Sequence, residues 1–82
     1  MRKIAWSERA RADVRRIDRN TAMRIFTAIQ RFAESGEGDV RELKGESGEF
    51  RLRVGDYRVR FTNDADNTIR IHAVRHRREA YR

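Results

Sequence analysis

Apolar residues recur at two spacings along this chain, and the change from one to the other divides it. "KIAW", residues 3–6, reads as a short first strand. Through "SERARADVRRI" Ala10, Val14 and Ile17 then fall on one helical stripe, with Ser7 as N-cap and Glu8 in the first turn, where the helix dipole favours a carboxylate. "DRN" at 18–20 interrupts the pattern and supplies another capping residue. From Thr21 to Glu34 a second and fuller stripe follows: Ala22, Ile25, Phe26, Ile29, Phe32 and Ala33. Ser35-Gly36 ends it, glycine being the usual residue just past a helix. Two helices joined by about three residues predict an antiparallel hairpin.

Residues 36–48, "GEGDVRELKGESG", read as a loop pinned by Val40 and Leu43. Beyond it the period becomes two. Phe50, Leu52 and Val54 alternate with arginines, and so do Tyr57, Val59 and Phe61. After the turn "NDADN", Ile69, Ile71 and Ala73 alternate with Arg70 and His72. The expected order is β-α-α-β-β-β. This is an α+β fold in which a helical hairpin covers one face of a small, mostly antiparallel twisted sheet. At 82 residues, 1–82 reads as a single domain.

Gly55-Asp56 is a two-residue connection suited to a tight hairpin, and such a turn sets the register. Val54 then opposes Tyr57, Leu52 opposes Val59 and Phe50 opposes Phe61, all on the helix side. Arg53 opposes Arg58 and Arg51 opposes Arg60 on the other side, because side chains alternate between faces. Opposed like charges cost a sheet up to roughly 1 kcal/mol per pair, with Cβ atoms about 5 Å apart. Either the long side chains diverge into water or the patch binds anions, and arginine's planar fork suits phosphate oxygens.

Composition bears on the partner. The net charge is +7, which favours polyanions or an acidic protein. Only Lys3 and Lys44 are lysines. Codon bias accounts for abundant arginine but not for its placement. Charged residues make up 40% of the chain, yet the apolar positions are periodic, which argues for folding rather than disorder. Without cysteine there is neither a disulfide nor a thiolate metal site, and two histidines alone make a poor zinc site. No cofactor or metal is expected. The apolar runs are too short for a membrane span or a secretory signal, so a cytoplasmic protein is expected.

The ending "HAVRHRREAYR" gathers His72, His76, Arg77 and Tyr81 near the last strand. Arg77 and Tyr81 share a side if the chain turns helically there. Arginine stays protonated at any working pH, so proton transfer at such a site falls to His76, Tyr81 or His72. Each has an ordinary structural alternative: a surface or sheet-edge histidine, and an aromatic latch for the terminus. Trp6 reads as core.

Taken together, Trp6-Ser7 at a helix start, "LKG" at 43–45, "FRLRVGDYRVRF" at 50–61 and "HRREAY" at 76–81 resemble the RelE/ParE superfamily of toxins from type II toxin–antitoxin systems. The resemblance covers nearly the whole chain and implies the same α+β fold. It also implies one of two activities. RelE-type toxins are endoribonucleases that cut messenger RNA in the ribosomal A site. ParE-type toxins poison DNA gyrase and are not nucleases. The RelE-like branch is the expectation here. Its site residues match Arg51, Arg53, Arg58, Arg77 and Tyr81, and Arg60 completes the RNA-binding face. Some RelE-type enzymes carry lysines at the positions of Arg51 and Arg53; arginine moves the proton-transfer burden to Tyr81 or His76. A third alternative is an inactive module that only binds an antitoxin or RNA. The resemblance further implies an acidic cognate antitoxin covering the basic face or displacing the C-terminal segment. Operator DNA would be bound only through the antitoxin complex, and mRNA on the ribosome would be the substrate, cut by 2′-hydroxyl attack without a metal.

Overall fold

The computed structural model describes residues 1–44 and 48–80. Strand β1 (Lys3–Trp6) leads into helix α1 (Glu8–Arg15) and helix α2 (Arg19–Ser35). Strands β2 (Asp39–Glu42), β3 (Glu49–Val54), β4 (Tyr57–Asp64) and β5 (Thr68–His76) follow, and then one helical turn, α3 (Arg77–Ala80). The sheet runs β1-β5-β4-β3-β2, antiparallel except for the β1–β5 pair. The α+β fold expected from periodicity is the fold observed.

Local chemistry sets the helix ends. Ser7 accepts the amide of Ala10 at 3.0 Å, and Asp18 accepts that of Thr21 at 3.0 Å. Because Asp18 is the cap, α2 begins at Arg19, two residues before its apolar stripe, and Ile17 lies outside α1. Gly36 closes α2 at φ 79°, donating its amide to Phe32 O at 2.8 Å. Ile25, Ile29, Phe32 and Ala33 of α2 meet Leu52, Val59, Phe61, Ile69, Ile71 and Val74 of the sheet in one buried cluster. Phe26 departs from its stripe: it is exposed, and Trp6, only partly buried, meets it edge-on at 5.4 Å.

The segment read as a loop contains a strand. Asp39–Glu42 pairs antiparallel with β3, Val40 opposite Leu52. Four residues with a single apolar side chain facing the core carry too little alternation to be recognised, and the pairing depends on an edge that β3 provides.

The second departure is a bulge in β5. Arg60 pairs with Ala73 but Phe61 pairs with Ile71, leaving His72 as the extra residue. The alternation that puts Ile69 and Ile71 under the helices therefore changes phase. Ala73 moves to the arginine side and Val74, opposite Val59, takes the core position.

Helix α1 closes the free edge of β5 where β1 ends. Ser7 Oγ donates to His72 O at 3.1 Å, and Asp13, the single buried charged residue among those described, accepts the Val74 amide at 3.0 Å. Arg16 and Arg75 flank that carboxylate at 3.4 and 3.9 Å.

Ser7→Ala removes both the cap and the cover on His72 O. It should cost about 1 kcal/mol and lower Tm by roughly 4–8 °C in a domain of this size, read by thermal circular dichroism. Acid sensitivity has a definite sign. Hydrogen bonding from Thr21 holds the Asp18 carboxyl below its ordinary 3.8, and hydrogen bonds from Arg70 and then Thr62 do the same for Asp64. The stability these groups contribute is complete above the ordinary value and lost as pH falls through the depressed ones. Melting temperature should therefore hold from neutrality down to about pH 4 and fall below it, and Asp64→Asn should reduce the fall.

Candidate nucleic-acid interface

The register read from the two-residue turn is the one observed: Val54 with Tyr57, Arg53 with Arg58, Leu52 with Val59, Arg51 with Arg60, Phe50 with Phe61. Gly55 has φ 59° and Asp56 does not share the positive φ, the pattern of a type II′ turn. The apolar members of these pairs join the core and the arginines take the opposite face.

Pairing across the whole sheet extends that face beyond the hairpin. One row runs Asp39, Arg53, Arg58, Arg75, and the next runs Arg41, Arg51, Arg60, Ala73. Arg41 and Arg75 were not recognisable from the sequence. Arg41 sits on the strand read as a loop. Uninterrupted alternation from Ile71 would have turned Arg75 under the helices, and the bulge reverses this.

Carboxylates relieve part of the crowding. Arg60 Nη2 contacts Glu49 Oε1 at 2.7 Å, and Arg51 Nη1 lies 3.6 Å from Asp39 Oδ1. Arg75 is shared between Asp13 and Glu79, the latter at 3.6 Å. Arg53 folds back so that Nε donates to Gly55 O at 3.3 Å.

A cleft opens at the turn end of the hairpin. About 420 Å³ in volume, it is lined by Arg53, Gly55, Asp56, Arg58, Arg77 and Arg78, four guanidinium-bearing residues with one carboxylate residue. Arg77, the first residue of α3, is held there by its amide, which donates to Asp56 O of the β3–β4 turn at 2.7 Å. Arg58 and Arg77, separated by eighteen positions in sequence, thus border one opening. Arg78 also lines it and went unnoticed in the sequence.

His76 is not among these groups. Opposite Tyr57 in the pairing, it lies on the helix side, with its ring edge-on to Tyr57 at 5.2 Å. Its Nδ1 accepts the Arg78 amide at 3.2 Å. The cavity it lines includes Asp18, Thr21 and Arg24 instead. His72 is on the arginine side, within 2.8 Å of Thr62 Oγ1. Tyr81 lies outside the described residues. Among the described residues no group of three or more His, Asp or Glu is arranged to hold a metal ion, and no helix is long and apolar enough to cross a membrane.

A family model described as the ParE toxin of the type II toxin–antitoxin system parDE matches residues 4–81. The chain belongs to the ParE toxin family. Among solved structures, this ParE-family chain is similar to one from the RelB–RelE antitoxin–toxin complex of Methanococcus jannaschii, with TM-score 0.79, 23% identity and 94% of each chain covered. The isolated E. coli RelE toxin gives TM-score 0.76 at 14% identity over 99% of this chain and 96% of that one. The RelBE2 toxin–antitoxin complex of Mycobacterium tuberculosis gives 0.65 at 25% identity over 92% and 96%. These likenesses carry the fold, which is RelE-like. No curated protein matches the sequence. The chain is thus a RelE/ParE-superfamily toxin of the type II toxin–antitoxin class.

Because Arg53 and Arg58 oppose each other, Arg53→Thr should raise stability by about 0.2–1 kcal/mol at low salt. The gain should shrink as salt screens the pair, and urea unfolding at two ionic strengths reads both.

Proposed function

We propose that this protein is a metal-independent, ribosome-dependent mRNA endoribonuclease that acts in the cytoplasm to inhibit translation. The observation that carries this reading is the cleft bordered by Arg53, Arg58, Arg77 and Arg78 on an open arginine-rich face. RNA needs no metal for cleavage, since its own 2′-hydroxyl can attack the adjacent phosphorus. The protein must remove the hydroxyl proton, stabilise the crowded phosphorane and supply a proton to the leaving 5′-oxygen.

In this reading Arg58 and Arg77 bind the scissile phosphate and stabilise its developing charge, which is the dominant electrostatic contribution. Arg51, Arg53 and Arg60 hold flanking phosphates. Tyr81 transfers a proton, ahead of His76, whose ring faces the helices and whose Nδ1 is occupied. The products are a 2′,3′-cyclic phosphate and a 5′-hydroxyl. The ribosome orders the strand so that arginines can act mainly by positioning and charge.

A second reading is supported by the family match itself: a ParE-like toxin that poisons DNA gyrase without cutting RNA. In either case an acidic cognate antitoxin is the natural neutralising partner, covering the arginine face by charge complementarity and folding on it. Operator DNA would then be reached only through that complex.

Programmed ribosomes with EDTA, followed by mapping of message ends, test the nuclease. The wild type should cut, and Arg58→Ala and Arg77→Ala should each slow cutting by about 10²–10³-fold. Uncut message together with inhibition of gyrase supercoiling that survives both substitutions would establish the second reading instead.

A further inference from the structure

Beside the arginine cleft lies a cavity of about 670 Å³, lined by Arg9, Glu49, Arg60, His72, Ala73, Arg75 and Glu79. His72 follows the core-facing Ile71 and so faces the arginine side, and as the extra residue of the bulge it has no partner on β4. Its tautomer follows from its neighbours. Thr62 Oγ1 lies 2.8 Å from Asp64 Oδ1 and 2.8 Å from His72 Nε2. Asp64 is ionised at neutral pH and only accepts, so the single hydroxyl proton of Thr62 goes to it. The Thr62 oxygen must then accept from His72, which places the imidazole proton on Nε2 and leaves the lone pair on Nδ1. Among the described residues nothing takes up Nδ1.

We propose that this cavity is the nucleotide subsite next to the arginine cleft, and that His72 Nδ1 takes the proton from the attacking 2′-hydroxyl. The inference rests on the nuclease reading and supplies the base that arginines cannot be. Arg58 borders the cleft and Arg60, two residues along β4 on the same face, borders the cavity, so an RNA lying along β4 would reach both. In the step, the 2′-hydroxyl proton goes to Nδ1, the 2′-oxygen–phosphorus bond forms and the phosphorus–5′-oxygen bond breaks. The leaving oxygen takes a proton from water, and His72 releases its proton to water.

The surroundings suit both protonation states. Donation from Nε2 to Thr62 persists when Nδ1 is protonated, and the carboxylates of Asp64, Glu49 and Glu79 offset the new cation. Arg9, Arg60 and Arg75 face the same space, and Arg70 holds Asp64 at 2.6 Å from the far side. Thr62 and Asp64 are positioning residues here.

His72→Gln separates the roles, because its amide nitrogen can still donate to Thr62 while the base is gone. With unchanged melting temperature, it should cut message on programmed ribosomes about 10²–10⁴-fold more slowly and lose the acid limb of the wild-type pH–rate profile. An uncleavable RNA with deoxyribose at the cut position should shift the His72 imidazole signals in NMR spectra. His72→Gln that cuts like the wild type with the acid limb intact overturns the inference and leaves the nuclease standing. Slow cutting with unmoved imidazole signals overturns it too, since the residue then acts through structure. A wild type that leaves message uncut overturns the nuclease reading and this inference with it.

Discussion

The register of one hairpin is the constraint on which the molecule depends. With Gly55 able to take a positive φ, β3 and β4 meet so that every apolar pair faces α2 and every arginine pair faces away. A slip of one residue would bury the guanidinium groups and expose Leu52, Val59 and Phe61, so the register is strongly specified. The same geometry therefore makes the core and the charged face at once. Stability and a binding surface are opposed within it: core pairs such as Phe50 and Phe61, stacked at 5.5 Å, offset the repulsion across the arginine rows.

Two irregularities then shape what the register begins. The bulge at His72 changes the phase of β5 in mid-strand, sending Arg75 to the charged face and Val74 into the core. The edge left beyond β1 is closed by α1, where Asp13 accepts the Val74 amide and also meets Arg75. A single buried carboxylate thus couples the end of a helix, the edge of a strand and one cation of the face. Such a group is costly to bury unless it is bonded, and here it is bonded on several sides.

The family and the fold leave the target open, because function belongs to sites grafted on a scaffold. On this chain the described cations group in two ways. Arg51 and Arg60 have carboxylates close by, whereas the cleft at the turn end gathers four arginines around Asp56. Among the described residues that line it, arginines outnumber carboxylates four to one, and the guanidinium fork suits oxyanions.

Periodicity, caps and turn chemistry are local, and they were legible: the two helix stripes, Ser7 and Gly36, the Gly55-Asp56 turn and the pairing of Arg53 with Arg58 all follow from residues near one another in the chain. The strand at Asp39–Glu42, the bulge at His72 and the burial of Asp13 were not, because each exists only where distant segments meet. Arg77 beside Arg58, and His76 turned away from both, likewise depend on how β5 ends against β4. Sequence alone determined which residues form elements and which face each hairpin side chain takes, since steric alternation acts within a few residues. Tertiary structure alone decided which cations share an opening, since that requires the whole sheet to be paired.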